Sequence, residues 1–233
     1  MAKVPYLMPE KIERAATALL VGYERKFGPV DGVSVPVDEI LESHLGLTLD
    51  FADLPARLGC PDVLGATWIK ERNVVIDQSL DPDSHPGKEG RYRFTVAHEL
   101  GHWELHRHLF EEMPGQLSLF EDEEKQEPIV CRTRSSKDPM EWQADAFAGY
   151  LLMPKERIFR VWREKFGELT PYLAVDEVAD KSARWGLSED NTPTVDIAKE
   201  MAKRFLVSGQ AMQIRLVGLN LIRTKIAAPA LVG

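Results

Sequence analysis

The chain has 233 residues, a net charge of −8 at pH 7, 44% hydrophobic and 28% charged residues. That length suits one ordinary domain plus a smaller appendage, and the composition is that of a globular protein, which excludes a disordered or fibrous chain. The negative balance argues against broad adhesion to nucleic acid or anionic membrane, and no stretch approaches the roughly 18 apolar residues that span a bilayer.

Ile12, Ala15, Ala16, Leu19, Leu20 and Tyr23 fall on one face of a helix, which predicts an amphipathic helix over Pro9–Phe27. Glu10 and Glu13 interrupt the basic start that an export signal would need. With only Cys60 and Cys131 there is no disulfide framework, so a reducing cytoplasm is the expected compartment. A short helix carrying Ile40, Leu41 and Leu45 follows, ended by Gly46. Three β-like runs come next, at 47–51, 64–69 and 73–76. Lys70, Glu71 and Arg72 join the last two as a hairpin. Residues 80–90 have the composition of a loop.

A helix is predicted over 91–109, then an acidic connector over 111–137 with Pro114, Gly115 and the acidic run 121–124, read as a solvated loop. Asp138 is placed to cap the next helix and Pro139 to open it; that helix runs to Leu152 and stops before Pro154. Further helices are expected at Lys155–Phe166, 195–205 and 209–219. Few strands, placed early, with helices after them, predict an α+β fold.

The chemistry centres on His98-Glu99-Leu100-Gly101-His102. Residues four apart on a helix sit about one turn on, so both imidazoles lean toward one point outside it and can reach one zinc ion at about 2.0–2.1 Å. Glu99 stands beside them as a base for water. A catalytic zinc needs a third protein ligand. His108 has the metzincin spacing, but Leu105 stands where that arrangement needs a glycine turn. His106 continues the series, yet one straight helix cannot wrap three turns around one ion, so it is expected to cap or support the helix. Glu141 is the better candidate, with Asp145 one turn later on the same face. Asp138 and Glu141 also fit a capping box, which is the competing explanation for that acid. Taken together, HExxH followed by Glu-x-x-x-Asp is the gluzincin pattern, in which the Glu ligates zinc and the Asp orients a ligand histidine. An oxyanion partner is not identified; Tyr92, Tyr150 and His106 are merely nearby in the chain.

Residues 92–106 and 141–154, which hold these motifs, resemble the ImmA/IrrE family of metallo-endopeptidases. The resemblance, which covers roughly residues 30–225, implies a zincin-like fold; the chain is accordingly divided into a metallopeptidase domain with a small mixed sheet over 1–155 and a helical C-terminal region over 156–233. It implies Zn²⁺ held by His98, His102 and Glu141, with Glu99 catalytic. The expected partner is then a helix-turn-helix repressor, cut to release stress, phage or mobile-element genes. Many family members carry Asn where this chain has Asp145, which can still orient a histidine.

Residues 195–222 resemble a helix-turn-helix, with Ala202 in the first helix, Val207 and Ser208 at the turn, and Met212 and Leu216 facing the core. Leu206 stands where such turns prefer Gly. The segment is basic within an acidic chain, so DNA contact through Gln210, Gln213 and Arg215 is an alternative expectation. It goes with a second functional reading: a DNA-binding or protein-binding regulator, or one half of a toxin–antitoxin pair, on a zincin scaffold.

Overall fold

The computed structural model describes residues 4–111, 129–132, 138–186 and 192–225. The chain divides into two compact units, Met1–Leu152 and Met153–Gly233.

The first unit opens with α1, Pro9–Phe27, whose buried Ile12, Ala16, Leu19, Leu20 and Tyr23 are the predicted stripe. The expected second helix is α2, Val37–Glu39, which passes directly into one π-turn at Ile40–His44; Gly46 then stops it at φ 66. Three strands follow where the alternation put them: β1 (Thr48–Ala52), β2 (Val63–Trp68) and β3 (Asn73–Asp77). Between β1 and β2 lies α3, Leu54–Leu58, capped by Asp53, which accepts from the Ala56 amide at 2.9 Å. Five residues are too few to display a helical period, so the sequence carries no sign of this helix.

The loop expected over 80–90 starts at the end of one 3₁₀ turn, Gln78–Leu80, holds a second at Pro86–Lys88 and passes into α4, Glu89–Glu111. The connector needs a correction. Ile129–Arg132 within it forms β4, antiparallel to β2, which satisfies backbone groups that a sheet edge would leave unpaired. Pro114, Gly115 and the acidic run 121–124 lie outside the described residues.

The sheet order is β1-β3-β2-β4, with β1 parallel to β3 and the other pairs antiparallel. A register shift between Val63 and Gly65 sets Val63 on the same side as Ala66. There they join Leu54 and Val75 in a core under α3. Gly65 and Thr67 face the other way, onto α4. Then comes α5, Pro139–Leu152, which packs on both α1 and α4.

The second unit holds α6 (Lys155–Phe166), α7 (Val175–Trp185), α8 (Asp196–Phe205) and α9 (Gly209–Gly218). It also has a parallel pair, β5 (Tyr172–Leu173) with β6 (Ile222–Arg223). Helix α7 and this pair were not foreseen. No residue of α7 is fully buried, so its apolar stripe is thin, and two-residue strands carry no alternation. At the turn between α8 and α9, Leu206 takes the left-handed conformation at φ 54, a glycine-like position filled by leucine. Met212 and Leu216 are fully buried, as expected. Among the described residues, no helix is long and apolar enough to cross a membrane.

Candidate metal centre

Helix α4 carries His98, His102 and His106 in one stripe, all of them 1% exposed or less. Gly101 lies on the side where α5 crosses: a Cβ there would fall 3.0 Å from the Ala144 Cα and 3.1 Å from its carbonyl oxygen. The lack of a side chain therefore lets the two backbones touch, and that contact delivers Glu141 to the histidines. At the start of α5, Asp138 accepts from the Met140 amide at 2.9 Å, the predicted cap. Glu141 is not occupied with capping. Its carboxylate reaches His98 Nε2 at 3.4 Å and His102 Nε2 at 3.2 Å.

The two Nε2 atoms lie 3.0 Å apart. At that distance either one nitrogen donates a proton to the other or both lone pairs converge on a shared cation. Donors bound to one tetrahedral ion at about 2.0–2.1 Å stand roughly 3.3 Å from each other, close to the spacing of the two Nε2 atoms and of each from its nearer Glu141 oxygen. Among the described residues these three are the group able to hold a metal ion. Beneath them, His98 donates from Nδ1 to Asp145 Oδ1 at 2.8 Å, which frees its Nε2 to act as a ligand. Burial pushes the His102 imidazole down, favouring the neutral form that a ligand needs. Burial acts upward on Glu141, but the adjacent His102 and His98 rings outweigh it and hold the carboxyl at about 2.

Glu99 is fully buried beside this group. Its Oε2 accepts from the Thr67 hydroxyl at 2.6 Å, while Oε1 has no partner among the described residues. Burial lifts the carboxyl to about 7, against the opposing pull of His98 and Thr67. A Cβ on Gly65 would fall 2.5 Å from Oε1, so only glycine leaves the carboxylate its place. Neither Gly65 nor Thr67 stands out in the sequence as a site residue. A glycine inside a strand was the available signal, since it marks a bulge or a close approach.

The other histidines resolve as follows. Helix α4 runs on through Glu111 without a turn at Leu105, so His108 is exposed and is no ligand. His106 does not cap the helix; its ring sits behind His102, Nδ1 to Nδ1 at 3.1 Å, and burial lowers it to about 4. Tyr92 is committed elsewhere, donating to Asp38 at 2.9 Å.

The family model described as the IrrE N-terminal-like domain, Peptidase_M78, matches residues 83–217, more than half of the chain and both helices of the centre. The chain belongs to the Peptidase_M78 family. No curated protein matches it. A solved structure of a Mycobacterium tuberculosis transcriptional regulator is similar over 97% of this chain at 15% identity and a TM-score of 0.45. The chain spans 55% of that structure's length.

In the second unit of this Peptidase_M78 chain, the expected base-reading residues need a correction. Gln213 is buried, accepting from the Val195 amide at 2.7 Å and donating to the Pro193 carbonyl at 3.1 Å. Arg215 is buried too, its Nε donating to the Met153 carbonyl at 3.1 Å. Both polar groups serve the unit's own backbone, where leaving a buried partner unpaired would be costly. Of the three, only Gln210 is exposed.

Proposed function

We propose that the protein is a zinc-dependent endopeptidase acting in the cytoplasm, with His98, His102 and Glu141 as ligands and Glu99 as general base. The observation that carries this is the convergence of two Nε2 atoms 3.0 Å apart with the Glu141 carboxylate, whose Oε1 lies 3.2 Å from one and Oε2 3.4 Å from the other, next to a Glu99 oxygen that has no partner among the described residues. Two imidazoles and one carboxylate are the donor set of a catalytic zinc, which leaves a further position open to water or substrate. When bound, zinc supplies Lewis acidity, polarising a peptide carbonyl and making water easier to deprotonate.

The protein's own groups do the rest. Asp145 fixes the His98 ring, and Thr67 pins one oxygen of Glu99 so that the other is free to receive a proton. A carboxyl poised at about 7 takes that proton from water and returns it to the departing amine near neutral pH. A purely structural site would have no use for such a base. The substrate we assign is a helix-turn-helix repressor, on the strength of the family resemblance.

The test is zinc-loaded protein co-expressed with candidate repressors, with fragments read by mass spectrometry. Glu99→Gln should keep zinc and fold but lose at least about 10²-fold in cleavage, the low end for a general base. His98→Ala and Glu141→Ala should lose the metal as well. Cleavage by Glu99→Gln at the wild-type rate would remove the mechanism.

A further inference from the structure

His106 has no part in the hydrolytic scheme, yet its ring is 1% exposed and both of its nitrogens are engaged. Nδ1 lies 3.1 Å from His102 Nδ1, and Nε2 lies 3.0 Å from Gln143 Oε1. On the far side, Gln143 Nε2 donates to the Pro5 carbonyl at 2.9 Å. The segment bearing Pro5 is also held by Tyr6, whose ring stacks on Trp142 at 6.2 Å.

A row of hydrogen bonds has a direction, and here the carbonyl at its anchored end sets it. A backbone carbonyl can only accept, so the Gln143 amide turns its NH₂ to Pro5 and its oxygen to His106. That oxygen can only accept, so His106 Nε2 carries a proton. Its direct partners are an imidazole and an amide, and burial keeps such a ring uncharged, which leaves its Nδ1 bare and accepting. His102 must then present Nδ1–H to it. The lone pair of His102 falls on Nε2, the atom 3.0 Å from His98 Nε2 and 3.2 Å from Glu141 Oε1.

We propose that His106 and Gln143 are positioning residues: anchored on the Pro5 carbonyl, they hold His102 in the Nδ1–H tautomer and so aim its Nε2 lone pair at the metal. This rests on the metal-centre reading and deepens it. The two ligand histidines are served differently for a physical reason. Asp145, whose side chain is 54% exposed, orients His98 from the rim, where a charge stays solvated. His102 is 0% exposed, and a second carboxylate behind it would be a buried charge. A neutral imidazole–amide relay gives the same orientation without one.

The decisive measurement is a long-range ¹H–¹⁵N correlation spectrum of histidine-labelled, metal-free wild-type protein. It should show His102 protonated on Nδ1 and His106 on Nε2. Zinc affinity, measured by competition with a chromophoric chelator, should fall about 10–100-fold in His106→Phe and Gln143→Met, the usual effect of removing a ligand's hydrogen-bond partner. His106→Gln should bind zinc nearly as wild type, because its amide accepts from His102 and donates to Gln143 in the same order. His102 protonated on Nε2, or wild-type affinity in a folded His106→Phe, overturns the proposal even if zinc binds. Should the variants fail to fold, the wild-type spectrum alone decides. Wild-type protein that takes up no zinc overturns the metal-centre reading instead, and with it the purpose assigned to the relay.

Discussion

The carboxyl of Glu99 carries a pH signature that follows from where it sits. Burial raises it from 4.5 to about 7. Because the folded value is the higher one, the folded chain keeps a proton between those values that the unfolded chain has released, and stability falls as pH rises through that window. The penalty is absent below the window and complete above it, where it amounts to roughly 3 kcal/mol. Glu99→Gln imitates the protonated acid. In metal-free protein it should therefore be more stable than wild type at about pH 8 and equal to it at about pH 4, judged by urea midpoints. Equal midpoints at both pH values would mean that the carboxyl is not desolvated. Gly65→Ala acts on the same group by sterics, since the new Cβ would fall 2.5 Å from Oε1. Displacing the base by an ångström costs on the order of 10² in rate. The expected variant binds zinc normally and cleaves poorly, which a kinetic assay beside a zinc titration would establish.

At the scale of elements, the centre depends on how closely α4 and α5 cross. Gly101→Ala sets a methyl against the Ala144 backbone at 3.0–3.1 Å, and backbone cannot yield as a flexible side chain can. The two helices must separate. A loss of about 1–3 kcal/mol is expected from overpacking, together with weaker zinc binding, as Glu141 is drawn away from His98 and His102. Thermal melts and chelator competition on the same variant should move together. Much of this element was legible beforehand. The HExxH spacing placed two imidazoles on one face, and Asp138-Pro139 announced where α5 begins. What Glu141 does was not decided by its position, because an acid at that point serves a cap equally well; only the packing of α5 on α4 turns it toward the histidines. Gly65 and Thr67 were invisible as site residues for the same reason: they lie on a strand more than thirty residues before Glu99 and meet it only through the sheet.

For the whole molecule, the metal should count toward stability. A ligand that binds only the folded state adds about 2.7 kcal/mol when present at 100 times its Kd. Chelation is therefore expected to lower the melting temperature and restored zinc to recover it, by differential scanning calorimetry. An unchanged melt would speak against a metal bound in the fold. Periodicity and spacing by themselves determined every long helix but α7, the first three strands, the HExxH face and the resemblance to a peptidase family, because each is written in residues a few positions apart. Tertiary structure alone decided the rest: β4 pairing inside the connector, the turn of the Glu141 carboxylate to the two histidines, the glycine that makes room for Glu99, the histidine held behind His102, and the inward turn of Gln213 and Arg215. Those depend on which buried polar groups find partners across the fold, and a partner distant in the chain leaves no periodic trace in it.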